Sequence, residues 1–292
     1  MINQRTKDRI EELHKEYLRL SKDNKKALIE IDLAEIPEMV YNSNAIENST
    51  LTLEDTEKIL LENVVPKNSD AREVYEAKNL ARVMEILLNE SDKELSLQLI
   101  LELHRVLLSN IKDDCAGRFR REGEWVRIAN HVGANPAFVQ TLMGELVEKF
   151  QNNKEFFLDN IAYFHAEFET IHPFVDGNGR IGRGLINQQL LKLGFPPIII
   201  QNKNKKTDYY SLFPEYSTNT RCDGFTELFA LLLQESLNKR ISILSSKKIT
   251  SLSNWVKKNN IKPSIALNKA KRQTIPSFRL RGKWMISEDF KE

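Results

Sequence analysis

The sequence has few cysteines, glycines and prolines. Among 292 residues there are 2 cysteines, 11 glycines and 9 prolines. Cys115 and Cys222 stand far apart, without the CxxC spacing of a redox or zinc motif. We therefore expect free thiols in a reducing compartment, with a single disulfide as the alternative.

Long apolar runs are also missing. The longest aliphatic stretches, 197–200 and 229–233, fall far short of the ~20 residues that a membrane span requires. Residues 1–20 are densely charged and lack the apolar centre of a signal peptide. These absences predict a cytoplasmic protein with no membrane segment.

What is present is a helical pattern. Apolar residues recur at intervals of three and four almost throughout, which predicts an all-α fold. A capping box from Thr52 to Asp55 and an N-cap at Ser96 mark two helix starts, and Pro37 is expected to open another helix. The exception is 117–135, where glycines among short apolar stretches are typical of a small β-hairpin. The predicted helices lie at 4–30, 37–48, 53–63, 70–89, 96–109, 136–151, 154–171, about 180–193, 207–218 and 223–244.

The tail at 246–292 differs in charge. It carries twelve lysines and arginines against three acidic residues, a local charge of +9 in a chain of net charge +2. Helical stretches at 251–259 and 263–272 precede an apparent hairpin around Arg281-Gly282. This order resembles a small helix-turn-helix or winged-helix module that binds DNA, with the hairpin as its wing. A basic surface for protein docking or unspecific polyanion contact is the alternative.

The most informative stretch reads IHPFVDGNGRIGRG, residues 171–184. A glycine-rich turn leads directly into a helix, whose first N–H groups form an anion site. Arg180 and Arg183 are three residues apart on that helix, so they share a face and can bind phosphate oxygens. Asp176 is a hard oxygen ligand suited to Mg²⁺, and His172 can accept a proton near neutral pH. This combination predicts phosphoryl or nucleotidyl transfer to a hydroxyl.

Two other nucleotide motifs share some of these letters. The glycine spacing matches the dinucleotide fingerprint, but that fingerprint must follow a strand, and residues 160–171 have helical periodicity. A P-loop would require Gly-Lys-Ser/Thr, which the sequence lacks. We therefore reject both.

The stretch resembles the signature of the Fic (filamentation induced by cAMP) family, His-x-Phe-x-Asp/Glu-Gly-Asn-Gly-Arg-x-x-Arg. All eight defining positions are present: His172, Phe174, Asp176, Gly177, Asn178, Gly179, Arg180 and Arg183. The resemblance covers about 35–245 and implies a helical bundle with a β-hairpin flap. It also implies a protein adenylyltransferase, which transfers AMP from Mg-ATP to a Ser, Thr or Tyr hydroxyl of a protein.

The resemblance implies a role for each matching position. His172 would be the general base and Asp176 would hold Mg²⁺, while Asn178 would help to line the anion hole. The nucleotide would be bound by Gly177, Asn178, Gly179, Arg180, Gly182, Arg183, Tyr209 and Tyr210, the two tyrosines near the adenine. The flap that holds the target segment would be formed by Arg127, Ile128, Ala129, Asn130 and His131.

A second short motif resembles the family's inhibitory element, Ser/Thr-x-x-x-Glu-Gly/Asn. It consists of Ser43, Glu47 and Asn48, the first two one helical turn apart on one face. A carboxylate at Glu47 could pair with Arg183 and fill the space of the γ-phosphate. Its place before the signature implies an N-terminally inhibited enzyme.

These expectations divide the chain into three segments. Residues 1–90 would be an N-terminal helical region with the inhibitory helix at about 37–48, 91–245 the catalytic core, and 246–292 the basic winged-helix-like module. The expected partners are a target protein, the chain itself through automodification and in a homo-oligomer, and DNA through 246–292. Two alternatives stay open: a DNA-binding regulator that senses nucleotide without turnover, and an enzyme that removes AMP from a modified protein.

Overall fold

The computed structural model describes residues 2–128 and 131–291. Its N-terminal helices are α1 (Gln4–Asp23), α2 (Lys25–Ile46), α3 (Leu53–Glu57), which continues as a π-helix to Glu62, α4 (Ala71–Asn89) and α5 (Leu97–Leu108). A hairpin follows, β1 (Arg127–Ile128) and β2 (His131–Val132), and then α6 (Val139–Asn152), α7 (Phe157–Ile171), α8 (Asn178–Lys192), α9 (Lys205–Asp208), α10 (Leu212–Asn219) and α11 (Asp223–Leu244). The last elements are β3 (Ile249–Ser251), α12 (Leu252–Lys258), α13 (Pro263–Lys271), β4 (Ser277–Leu280) and β5 (Lys283–Ser287). In the described part of the chain no helix is long and apolar enough to cross a membrane.

The chain groups into two compact units. The first contains residues 35–193 and 199–226, and the second contains 2–34, 194–198 and 227–292. The long helices α2 and α11 contribute residues to both units, so the packing does not follow three consecutive segments. The division at 1–90, 91–245 and 246–292 remains a prediction about function.

Helices α7 and α8 form the centre of the first unit. They pack against each other and against α4, α5 and α6. Phe164 and Phe168 of α7 are fully buried, as their helical spacing predicts, and Phe174 in the signature loop is fully buried as well. The antiparallel hairpin pairs Arg127 with Val132 and confirms the predicted flap.

Local signals predicted several helix ends correctly. Thr52 and Asp55 form the full capping box, and the Ser96 side chain accepts a hydrogen bond from the Leu99 N–H. The prediction for Pro37 is wrong, because it lies inside α2 instead of opening a helix. Proline within a helix costs about 3 kcal/mol, but burial of each large apolar side chain of α2, such as Met39, returns about 1.5–3 kcal/mol.

The tail of the second unit has the predicted helix, helix and hairpin. Arg281 and Gly282 both have positive φ, 51° and 74°, as a two-residue hairpin turn requires. A third strand, β3, was not predicted; it pairs with β5 to complete a sheet of order β3-β5-β4. Trp255 of α12 and Ile286 of β5 are buried in a small core of their own.

Candidate active site

The loop between α7 and α8 is held in a fixed shape by its own residues. His172 ends α7 in the left-handed conformation, with φ 52°, and its N–H donates to the Phe168 carbonyl. Gly177, with φ 83°, is the N-cap of α8, where an L side chain would be strained. The Asn178 side chain accepts a hydrogen bond from the Phe174 N–H and donates one to the Phe174 carbonyl, both 2.8 Å. Asn178 therefore organises the loop, and only its backbone is placed to meet an anion.

His104 supports this loop, although it belongs to no motif that would single it out in the sequence. Its Nδ1 accepts a hydrogen bond from the Gly117 N–H at 3.0 Å, so Nε2 carries the proton and donates to the Asp176 carbonyl at 3.0 Å. Burial lowers the pKa of His104 to about 4, which keeps the ring neutral. The ring stacks on Phe174 with 3.6 Å between centroids.

His172 is only 17% exposed and lies beside Glu169. Its Nδ1 is 3.3 Å from the Glu169 carbonyl oxygen and 3.7 Å from the Glu169 carboxyl group. A proton on Nδ1 satisfies that carbonyl and puts the lone pair on Nε2. Burial raises the pKa of Glu169 to about 8, so this carboxyl is neutral at pH 7.

Asp176 is surrounded by cations. Its carboxylate contacts Arg72 at 2.7 Å, Lys112 at 3.4 Å and Arg180 at 3.0 Å. Burial opposes ionisation of Asp176, but Arg180, Lys112 and Arg72 outweigh it and lower its pKa. Arg72 and Lys112 lie 104 and 64 residues before Asp176 and carry no motif, so the sequence did not reveal them.

Asp176 also bears on the expected magnesium ion. Among residues 2–128 and 131–291 no group of three or more histidine, cysteine or acidic side chains could hold a metal. Mg²⁺ in nucleotide sites is often held by one or two carboxylates and the substrate phosphates. A single carboxylate therefore fits an ion that arrives with the triphosphate, and it does not fit a permanently bound metal.

Glu47 pairs with Arg183, a residue that is expected to bind phosphate. The buried Arg183 donates to the Glu47 carboxylate at 2.8 Å and to the Ser43 carbonyl and hydroxyl at 2.9 and 3.0 Å. Burial opposes the charge of Glu47, but Arg183 outweighs it and lowers the pKa of this carboxyl. A Cβ on Gly179 would collide with the same carboxylate oxygen. The Glu47 carboxylate thus lies over the first turn of α8, where a helix favours an anion.

Lys205 and Tyr210 hold the end of α2. The Lys205 ammonium donates to the carbonyls of Ala45 and Ile46, both at 2.7 Å, and to the Asn48 side chain at 2.9 Å. The Tyr210 hydroxyl donates to the Ile46 carbonyl at 2.8 Å. Asn48, with φ 71°, turns the chain away after Glu47. Lys205 was missed because it is 160 residues from Ala45 in the sequence.

Tyr209, Gly182 and the flap residues are placed differently from the other predicted site residues. Tyr209 is buried, and its hydroxyl is 2.8 Å from Nε2 of the buried His165, so it packs in the core. Gly182 lies where a Cβ would collide with Glu169, which assigns it to helix packing. Arg127 is in the flap and exposed, and Ile128 and His131 belong to its strands. Ala129 and Asn130 lie outside the described residues.

The chain is similar to proteins of one family. Residues 94–190 match the family model described as the Fic/DOC family. Protein adenylyltransferase Fic of Aedes aegypti is 34% identical over 178 residues, which are 58% of this chain and 35% of that protein. The chain thus matches about a third of the length of this curated relative.

Solved structures share the fold. Fic-1 (aa134–508) from C. elegans is 26% identical with a TM-score of 0.68, over 81% of this chain and 71% of that chain. A Fic domain containing signaling protein from Bacteroides thetaiotaomicron has a TM-score of 0.70 at 24% identity, over 82% of this chain and 98% of that one. At this identity the second comparison supports the fold only.

Proposed function

Since residues 94–190 match the Fic/DOC family model, we propose that the chain is a protein adenylyltransferase restrained by Glu47. The phosphate cradle consists of Arg180, Arg183 and the first N–H groups of α8. The observation that carries this proposal is that His172 lies at one end of the signature loop and this cradle, with the Glu47 carboxylate bound in it, begins at the other. The names of the curated relatives support the reaction class. The substrate is Mg-ATP, and the acceptor is a hydroxyl side chain of a protein.

The cradle binds the triphosphate in this proposal. Arg180 and Arg183 bind phosphate oxygens, and the first N–H groups of α8 face the same anion. Asp176 would hold the Mg²⁺ that accompanies ATP, and the bound ion would supply positive charge to the phosphates.

His172 takes the proton of the acceptor. The hydroxyl oxygen forms a bond to the α-phosphorus, the bond from this phosphorus to the oxygen bridging to the β-phosphate breaks, and pyrophosphate leaves. The hydroxyl proton passes to Nε2, because the Glu169 carbonyl favours a proton on Nδ1. The flap at 127–131 would hold the acceptor segment by strand pairing.

Glu47 restrains this reaction by competing for Arg183. While the Glu47 carboxylate is bound to Arg183 over Gly179, the γ-phosphate lacks its arginine partner and its space. ATP can still bind, but its α-phosphate is not presented to the acceptor in line with the leaving group. Release of Glu47 permits transfer.

The proposal is tested with two labels in ATP. Purified protein and the Glu47→Gly variant are incubated with Mg²⁺ and ATP labelled at the α- or the γ-phosphate. We expect covalent label from α-labelled ATP only, and a mass increase of one AMP on a hydroxyl residue. Label from γ-labelled ATP would show phosphoryl transfer and contradict the proposal. Loss of AMP from a modified protein without any labelling would favour the reverse reaction.

We further propose that 246–292 contacts DNA. The order β3-α12-α13-β4-β5 resembles that of a winged helix, and several basic residues are exposed just before α13, at its end, just after it and around the hairpin turn: Lys262, Lys271, Arg272, Arg281 and Lys283. These positions match a helix for the major groove and a wing for the backbone. This activity would regulate a promoter or direct the enzyme to DNA.

DNA contact is tested by fluorescence anisotropy with a labelled duplex at several salt concentrations. We expect affinity to fall steeply with salt, and the combined Lys271→Gln and Arg272→Gln change to reduce the slope of log K against log salt by about 2. Lys15→Gln, on an exposed position of α1, should leave binding unchanged. No binding at the lowest salt, or equal losses in the Lys15 control, would contradict this proposal.

A further inference from the structure

One buried cation beside His172 has no part in the reaction described above. Arg120 is 3% exposed, and its guanidinium donates to four backbone carbonyls. They belong to His172 at 2.8 Å, Ala134 at 2.7 Å, Glu124 at 2.9 Å and Ile171 at 3.2 Å. None of its hydrogen-bond partners among the described residues is a carboxylate. A paired acid would neutralise a buried guanidinium more effectively than carbonyls do. This set of acceptors therefore indicates that Arg120 fixes the position of the backbone.

The four carbonyls belong to two parts of the site. Ile171 and His172 end α7, where the last carbonyls of a helix lack partners and attract a cation. Glu124 precedes β1 and Ala134 follows β2, so they mark the two stems of the flap. One side chain therefore joins the helix end that carries His172 to both stems.

Two further contacts fix the same junction. The Ala134 N–H donates to the Ile171 carbonyl at 3.1 Å, and the Arg120 N–H donates to the Pro173 carbonyl at 2.9 Å. A Cβ on Gly133 would lie 3.1 Å from the Arg120 guanidinium and 3.2 Å from the His172 Cβ. Glycine at this position lets the flap stem lie directly against Arg120 and His172.

The backbone of His172 requires such support. A histidine at φ 52° is in a sparsely populated conformation that persists only where its surroundings hold it. Arg120 holds the carbonyl of this residue, and the direction of the imidazole depends on the same peptide. The direction of the flap depends on the same guanidinium through Glu124 and Ala134.

We propose that Arg120 is a positioning residue that fixes His172 and the flap relative to each other. The hydroxyl of a target segment bound to the flap then lies next to the imidazole. This inference rests on the proposed function. Arg120 does not contact the phosphate cradle, and it acts on the transfer step and not on nucleotide binding.

The test uses the Glu47→Gly protein as parent. Arg120→Lys and Arg120→Gln are compared with Arg121→Gln, which changes the exposed neighbour. We expect the limiting rate of labelling at saturating ATP to fall about tenfold or more with glutamine and less with lysine, in line with the removal of positioned hydrogen bonds. The ATP concentration for half of that rate should stay within about twofold of the parent.

A second measurement reports the flap itself. Hydrogen exchange at the amides of Gly133 and Ala134, both bonded in the structure, should become faster in Arg120→Gln at equal thermal stability. Gly133→Ala, which keeps the guanidinium but crowds it, should also lower the labelling rate. It serves as the alternative where an Arg120 variant does not fold.

The outcomes separate the two proposals. Folded Arg120 variants that label at the parental rate, or that lose nucleotide affinity in parallel with labelling, would overturn the positioning role. Unchanged exchange at Gly133 and Ala134 would overturn the link to the flap. A parent that never labels would contradict the proposed function, while the exchange measurement would still decide whether Arg120 holds the flap.

Discussion

The Glu47→Gly variant is expected to label itself with AMP at least about tenfold faster than the wild-type protein. A buried charge-assisted hydrogen bond is worth about 1.5–3 kcal/mol. The Glu47 side chain is 39% exposed, which reduces the value toward about 1.5 kcal/mol, or about tenfold in population. The substitution also removes the carboxylate from the space over Gly179. The measurement is the initial rate of labelling from α-labelled ATP.

Matched variants separate loss of inhibition by Glu47 from a general change in the protein. Glu54→Gly removes a carboxylate from α3 that pairs with Lys58 at the surface, and it should leave labelling unchanged. Glu47→Gln keeps the shape and an acceptor oxygen for Arg183, so its rate should lie between the wild type and glycine. Equal labelling of the wild type and Glu47→Gly would contradict the inhibitory role of Glu47. It would not contradict the proposed transferase reaction.

Glu47 also illustrates which parts of the site can be predicted from sequence. Ser43 and Glu47 were recognised by their resemblance to the inhibitory element of the Fic family, and the signature arginines by their resemblance to the family signature. The helix starts at Thr52 and Ser96 were found because a cap acts within three residues. In each case the pattern itself spans only a few residues, although Arg183 lies 136 residues after Glu47.

Partners that lie far apart in sequence were not predictable where neither residue belongs to a motif that names the other. Arg120 lies 52 residues before His172 and Arg72 lies 104 before Asp176, and single basic residues in a chain with 43 lysines and arginines carry no local signal. Tyr209 was assigned to the nucleotide by its resemblance to the family's tyrosine pair near the adenine, and Gly182 because it lies within the signature stretch. In the structure Tyr209 is buried beside His165, and a Cβ on Gly182 would collide with Glu169. Both placements depend on helix packing, which the local sequence does not show.

Pro37 shows the same limit for the fold. Local rules place proline at the first turn of a helix, and the helix was accordingly predicted to start there. The apolar residues of α2 are buried on both sides of this position, from Ile36 to Ile46, and their packing extends the helix through the proline. A helix that starts at Pro37 and a helix that continues through it are both compatible with the local sequence. Burial in the folded protein favours the second.

The second large effect is expected from removal of the imidazole. In the Glu47→Gly background, His172→Asn should lower the labelling rate by about 10²–10⁴-fold, the range for loss of a general base. Asparagine is preferred to alanine because it tolerates the left-handed backbone at φ 52°. The loop then keeps its shape, and a loss of rate reports the missing proton acceptor.

Nucleotide binding provides the control for this substitution. Arg180, Arg183 and the start of α8 are unchanged in His172→Asn, so calorimetry should give an ATP affinity within about threefold of the parent, since the phosphate contacts are retained. His14→Asn, which alters the ring bonded to the Gly194 carbonyl at 2.9 Å, should not affect labelling. If His172→Asn binds ATP normally and still labels at the parental rate, another group must accept the proton, and the role proposed for His172 is wrong. A parent that binds ATP and never labels would instead favour a nucleotide sensor, in which Glu47 and Arg183 respond to ATP without its transfer.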